Sequence, residues 1–122
     1  MSKVSDLHNK AMEFADLADL ERRRSNEERA TEFLEQALEF ELAAIAELYD
    51  QDGLTWSVLH RSAGWLALDC NRPRLAEQLA CKALAGDPHP EIAEELRDLL
   101  AETYARMHGK PKVASVAETA DN

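Results

Sequence analysis

The chain has few of the residues that build disulfide frameworks, strands and tight turns. Its 122 residues include two cysteines, four glycines and four prolines, and aromatic residues make up 6%. Two cysteines cannot form a disulfide framework, and the small number of β-branched residues leaves strands little to be built from. Because 45% of the residues are apolar and 31% are charged, we expect one all-α domain with a real core.

Basic residues and long apolar runs are also scarce. Lysine and arginine number 14 against 24 acids, which gives a net charge of −10, so a phosphate backbone would be repelled and no nucleic-acid partner is expected. No segment approaches the roughly 20 apolar residues that span a bilayer, and residues 1–10 lack the apolar run of a signal peptide. We therefore expect no membrane association. Cys70 and Cys81 form no C-x-x-C motif, and together with the missing signal peptide this indicates a reducing, cytoplasmic setting.

Apolar periodicity predicts two helices in the first half of the chain. Residues at three- and four-residue steps predict a helix within 4–24. The sequence from Ser25 to Glu28 resembles a capping box, which predicts the start of a second helix. Its apolar pattern continues to about Asp50, and about 25 residues of helix would span roughly 38 Å. The stripe of the first helix consists of Leu7, Ala11, Phe14, Leu17 and Ala18.

Three more helices are expected in the second half. A third helix over 55–70 should end at the turn Asn71-Arg72-Pro73, since proline suits the first turn of the next helix. The fourth helix should end near Gly86, because the two prolines at 88 and 90 cannot donate hydrogen bonds inside a helix. The fifth should extend to about His108. We therefore expect a helical domain over 1–108 and a disordered tail over 109–122, where small and polar residues lack any period.

The sequence also repeats itself. Residues 29–41 match residues 75–87 at an offset of 46 positions, and the preceding helices align at the same offset. Repetition of helix pairs is typical of solenoid arrays. The aligned pairs are Ala30 with Ala76, Leu34 with Ala80, Ala37 with Ala83, Leu38 with Leu84, Phe14 with His60, Leu17 with Ala63 and Ala18 with Gly64.

Within 57–90, the positions of Gly64, Ala76, Ala83 and Pro88 resemble the small residues and closing proline of the tetratricopeptide repeat. The resemblance implies antiparallel helix pairs stacked as a short right-handed superhelix, here about five helices with a long second helix. Gly64 is expected to face Ala76 so that two helix backbones approach closely, and Ala83 should let the next pair nest. The C-terminal half also resembles short bacterial helical proteins of this kind.

The sequence departs from that pattern in two respects. The repeat length is 46 residues instead of 34, which an extended second helix would explain. In addition, three positions where the family commonly has an aromatic residue carry His60, Ala67 and Ala80.

Residues that could support catalysis or metal binding are few. The candidates for nucleophile and base are Cys70, Cys81, His60 and His89, but a buried free cysteine behaves as a small hydrophobe and these spacings match no zinc motif. No glutamate precedes a histidine by three residues, which excludes the di-iron pattern. We therefore expect no catalytic residue, metal or cofactor. An unrecognised hydrolase is the contrasting hypothesis, and it requires His60, Cys81 and His89 to converge around a cavity.

The resemblance instead implies binding of a protein or peptide. In the family, the first helix of each pair lines an inner groove, and alignment places Arg22, Arg23, Arg61 and Trp65 on or near that groove. Arginine binds carboxylates and exposed tryptophan anchors interfaces. Trp65 occupies the place of an asparagine that grips terminal carboxylates in peptide-binding members. The expected function is a non-enzymatic interaction module, unless Trp65 packs in the core and the arginines only solubilise the surface.

The second helix supports a further hypothesis. Its apolar surplus predicts self-association through Phe40, Ile45, Leu48 and Tyr49, because so few helix pairs cannot cover both sides of a long helix. The acidic run over 27–52 holds nine carboxylates and one base, Arg29. It is interpreted as a solvated face or as a docking site for a basic partner.

Overall fold

The computed structural model describes residues 2–48 and 53–109. These residues form five α-helices and contain no strand, which confirms the all-α prediction. Predictions that concern residues 49–52 and 110–122, including most of the expected tail, lie outside the described residues. The helices are α1 (Lys3–Arg23), α2 (Glu27–Ala46), α3 (Leu54–Asp69), α4 (Pro73–Ala85) and α5 (Pro90–Met107).

Helix starts follow from local chemistry. The Ser2 side chain caps α1 by accepting from the amide of Ser5 at 3.0 Å, which satisfies one of the free donors at a helix start. Pro73 and Pro90 stand in the first turns of α4 and α5, where a missing amide proton costs nothing. Both proline predictions are confirmed.

The cap of α2 is not the one expected. Asn26 is the capping residue and accepts from the amide of Arg29, whereas Ser25 lies outside the helix at φ +62°. The predicted capping box from Ser25 to Glu28 therefore placed the helix start one residue too early. Both residue types can cap, and the left-handed backbone at position 25 decides between them.

The expectation of a long second helix is wrong. α2 has 20 residues and ends at Ala46, while α1 has 21, so α2 spans about 30 Å. The spacing of Ala44 and Leu48 looks helical in the sequence. Leu48, however, packs against the core from the turn that follows α2, where its amide bonds to the carbonyl of Ile45. An apolar period can thus continue beyond a helix end.

The turn after α1 is repeated after α3. Ser25 and Asn71 both have left-handed backbone, with φ of 62° and 59°. The following amides, those of Asn26 and Arg72, donate to the carbonyls of Glu21 and Ala67 at 2.9 and 2.8 Å. These are the bonds of a Schellman helix end. Each residue of the first turn lies 46 positions before its counterpart, so the offset in the sequence is also an offset in the structure.

Small residues allow the helices to pack closely. Ala30 and Ala37 of α2 are buried to 1% exposure or less, as are their counterparts Ala76 and Ala83 of α4. α1 packs on α2 and α4 on α3, while α3 also packs against α2 and α5. Alanine adds little volume beyond the backbone, so a helix contact built on it is tight. This core holds α1 and α3 at fixed positions on the surface.

Gly64 lies in close contact with the fifth helix. If it carried a Cβ, the three nearest heavy atoms would all belong to Leu99 of α5, the closest at 2.4 Å. The glycine therefore accommodates a leucine of the fifth helix, and its expected contact with Ala76 of α4 stays a prediction. α3 and α4 do lie side by side. Pro88 lies half-buried in the turn between α4 and α5.

Candidate functional site

Arg61 and Trp65, the expected contacts of the groove, are engaged within the chain. Arg61 forms an ion pair with Glu95 of α5 and its side chain is 28% exposed. Trp65 is half-buried and packs against the core. Arg61 thus joins α3 to α5, and the groove assignment of both residues stays a prediction.

Arg22 and Arg23 lie in different surroundings. Arg22 acts on Asp69 at the end of α3: burial raises the pKa of the Asp69 carboxyl, while the positive charges of Arg106 and Arg22 partly lower it. Arg23 is exposed and lines an open depression of the surface along α1. Of the four predicted groove residues, Arg23 alone lines this depression.

The residues expected to mediate self-association are largely covered by their own chain. The ring of Phe40 stacks on that of Phe14 with centroids 5.5 Å apart. Ile45 and Leu48 are partly buried and pack against the core. Tyr49 lies outside the described residues. Since α2 is shorter than expected, the apolar surplus that motivated this hypothesis is mostly taken up by α1 and the core.

The candidate nucleophiles and bases have structural environments. Burial, with a smaller effect of nearby acidic charges, raises the pKa of the Cys70 thiol to about 11, whereas Cys81 is exposed. Nδ1 of the buried His60 donates to the carbonyl of Trp56 at 2.7 Å. His89 caps α5 by accepting from the amide of Glu91.

These residues do not assemble into one site. His89 lines a cavity of about 200 Å³ to which His60 and Cys81 do not contribute. In the described part of the chain, no group of three or more histidine, cysteine or acidic residues could hold a metal ion. The same part contains no helix long and apolar enough to cross a membrane.

A different surface, on α1, has the properties of a docking face. Leu17 and Leu20 are neighbours on the solvent side of the helix and are 40% and 41% exposed. The sequence pattern placed Leu17 on the buried stripe, whereas the buried positions are Ala11 and Ala18. We name the surface the α1 patch, which consists of Leu17, Leu20 and the surrounding Glu13, Asp16, Asp19 and Arg23.

The internal repeat shows how the α1 patch differs from its counterpart in α3. The residues of α3 that lie 46 positions after Leu17 and Leu20 are Ala63 and Leu66. Both are buried, at 0% and 7% exposure, in a helix that packs against the preceding helix α2. None of the described helices covers the two leucines of α1. The α1 patch is therefore an apolar face that the described residues leave open, at positions whose counterparts in α3 are covered.

The charge of the α1 patch is strongly one-sided. Three carboxylates, those of Glu13, Asp16 and Asp19, surround the two leucines, against the single guanidinium of Arg23. Glu13 lies 3.9 Å from Lys10 in an exposed pair, which contributes little binding energy. With a net charge of −10 on the chain, this surface attracts positive charge.

One polar pair was not anticipated from the sequence. Glu41 of α2 is fully buried, although it belongs to the acidic run that was interpreted as solvated. Its two carboxylate oxygens lie 2.9 and 3.0 Å from Nδ1 of His8 in α1. The position of Glu41 three residues after Leu38 and three before Ala44, both buried, was the available signal, because such spacing places it on the core face.

Comparison with known proteins finds no matching family model, no matching curated protein and no matching solved structure.

Proposed function

We propose that the chain is a non-enzymatic protein-interaction module, a short tetratricopeptide-like array that binds a partner helix on the α1 patch. The observation that carries the proposal is the exposure of Leu17 and Leu20 at positions whose repeat counterparts, Ala63 and Leu66, are buried. A face that one helix pair buries against a neighbour is suited to a neighbouring helix wherever it is left open.

The directions of the helices support an array. The first turns of α1 and α3 line one cavity, which includes Val4 and Val58. At the opposite ends, the charges of Arg22 and Asp19 act on Asp69. α1 and α3 therefore run in the same direction, as the first helices of successive tetratricopeptide pairs do. α5 packs against α3 and α4, as the first helix of a third pair would.

The α1 patch also defines the chemistry of the partner. It extends from Glu13 to Arg23, about 15 Å along the helix axis, so a partner helix of about three turns covers it. Such a helix needs an apolar face to cover the two leucines and basic residues at its flanks to meet the carboxylates. An amphipathic, basic helix satisfies both requirements.

Self-association through the same surface is disfavoured by charge. A second copy would bring Glu13, Asp16 and Asp19 opposite an identical acidic set, with one arginine from each chain to compensate. Like charges facing each other across an interface oppose binding. We therefore favour a basic partner over a homodimer.

Comparative capture from an extract of the native host tests the proposal. Leu17→Gln combined with Leu20→Gln removes the apolar centre of the α1 patch without changing its charge. Leu54→Gln is the matched control, because Leu54 is 62% exposed and lies on α3. The proposal predicts that a partner with a basic amphipathic helix is recovered with the wild type and with Leu54→Gln, and that the double variant recovers about tenfold less.

Substitutions at Arg61 and Trp65 test the alternative docking surface, the groove predicted from the sequence. If Arg61→Gln and Trp65→Phe reduce recovery while the double leucine variant does not, the partner binds at the α3 surface and the α1 patch is not the docking face. Circular dichroism of each variant separates lost binding from lost helix.

A further inference from the structure

A cavity of about 450 Å³ lies between the first turns of α1 and α3, away from the α1 patch. Its apolar wall comes from both helices, and Leu59 at its base is buried. This volume is within the range of pockets that bind small molecules. The lining residues are Ser2, Val4, Ser5 and His8 of the N-terminal segment, and Leu54, Thr55, Val58 and Leu59 of α3.

His8 is the titratable group in the cavity wall, and Glu41 fixes its orientation. Nδ1 of His8 lies 2.9 and 3.0 Å from the two carboxylate oxygens of Glu41. Because carboxylate oxygens accept hydrogen bonds, this geometry suits a ring that donates from Nδ1. The side chain of His8 is 34% exposed and that of Glu41 is 0% exposed. The ring nitrogen left for a ligand is Nε2.

This arrangement suits a carboxylate. When Nε2 is protonated it donates a charge-assisted hydrogen bond to an anion, and the buried carboxylate of Glu41 on the other side of the ring balances the imidazolium charge. Lys3, which precedes Val4 in the sequence, is exposed and pairs with Glu47. One donor nitrogen in an acidic protein matches a single negative charge better than a doubly charged phosphate.

We propose that the cavity between α1 and α3 binds a monocarboxylate with an apolar tail, with the carboxylate at Nε2 of His8 and the tail against Val4, Val58 and Leu59. The site requires nothing from the α1 patch, so this inference is independent of the proposed function. A cation is a poor match, because the described residues offer no cluster of ligating groups.

Titration of the full-length protein with octanoate tests the proposal, with octan-1-ol as a probe of equal tail length. Nuclear magnetic resonance follows the methyl signals of Val4, Val58 and Leu59 and the Nε2 signal of His8. We expect octanoate to shift all of them and to bind about tenfold more tightly than octan-1-ol, the ratio expected of one hydrogen bond to a charged group. Butyrate, which has a shorter tail, should bind more weakly than octanoate.

Two substitutions divide the site into its head and its tail. His8→Gln should lower the affinity for octanoate to that for octan-1-ol, whereas His89→Gln, at an exposed histidine of another helix start, should leave both within about twofold. Val58→Trp should abolish binding of both compounds by filling the cavity. If His8→Gln fails to fold because Glu41 loses its partner, two measurements on the wild type test the role of His8: the ratio of the affinities for octanoate and octan-1-ol, and the shift of the Nε2 signal.

Three results would overturn the proposal. One is the absence of any octanoate binding at millimolar concentration. The second is equal affinity of the wild type for octanoate and octan-1-ol, which would reduce the site to an apolar cavity. The third is a set of shifted signals that leaves out His8 and maps to another surface.

Discussion

Leu99 of α5 lies so close to Gly64 of α3 that a Cβ on the glycine would come within 2.4 Å of Leu99 Cδ2. Leu99 is fully buried, so its side chain has little room to move away. The ion pair of Arg61 with Glu95 joins the same two helices. These contacts attach the fifth helix to the first helix of the second pair.

Gly64→Ala is expected to destabilise the protein despite the better helix propensity of alanine. Alanine gains about 1 kcal/mol in a helix, but overpacking costs about 1–3 kcal/mol. In a Leu99→Val background the side chain ends near the level of Cγ, which would lie 3.6 Å from the new Cβ. There, Gly64→Ala should be neutral or stabilising. Urea unfolding of the four proteins measures the coupling, and an equal effect of the alanine in both backgrounds would contradict the contact.

Ser25→Gly is expected to stabilise the protein by about 0.5–1 kcal/mol. Ser25 has a φ of 62°, a conformation that strains an L-residue with a side chain and that glycine adopts freely. Asn71 is the matched control. It has the same backbone at the equivalent turn, but asparagine tolerates the left-handed region, so Asn71→Gly should change stability by only about a few tenths of a kcal/mol. Thermal unfolding of both variants makes the comparison, and equal gains would contradict this account.

The two cysteines are expected to react at very different rates. Cys70 is buried and its thiol pKa is raised to about 11, so the reactive thiolate is rare near neutral pH. Cys81 is exposed. A thiol reagent at pH 8 should modify one cysteine quickly in the folded protein and the second only after unfolding. Cys81→Ser should remove the fast phase and Cys70→Ser should keep it. A fast reaction at Cys70 would contradict its placement.

His60 should make the folded protein less stable as the pH falls below 6.5. Burial lowers the pKa of His60 in the folded protein below its ordinary value of 6.5. At a pH between the folded and the unfolded pKa, the unfolded chain therefore binds a proton that the folded chain does not. Stability from this residue is therefore complete above pH 6.5 and falls with decreasing pH, by at most about 1.4 kcal/mol per pH unit. Over pH 7.5 to 5.5, the free energy of unfolding should fall more steeply for the wild type than for His60→Phe. Parallel curves would contradict the prediction.

The sequence predicted the helices well because their signals are local. A proline marks a helix start within its own segment, and both Pro73 and Pro90 lie in first turns. The small residues that repeat at an offset of 46 positions are buried in both α2 and α4. The end of α2 was predicted poorly, since Leu48 continues the apolar period without continuing the helix. The kinship with tetratricopeptide proteins stays a prediction.

The candidate sites depended on contacts between helices, which periodicity does not reveal. Arg61 was predicted as a groove contact, and its ion pair with Glu95 of α5 was not foreseen. Leu17 has the spacing of a core residue, yet it is exposed because no described helix covers that side of α1. Glu41 is one of many acids in its run, and only the fold places it beside His8.

The most direct test of the α1 patch is a map of amide chemical shifts during titration with a basic amphipathic peptide of about 18 residues, with leucines on one face and lysines on the other. The account predicts shifts concentrated at Leu17, Leu20 and Arg23, with loss of binding in the double leucine-to-glutamine variant and no binding of a peptide in which glutamate replaces lysine. Shifts centred on Arg61 and Trp65, or binding unaffected by the two leucine substitutions, would contradict it.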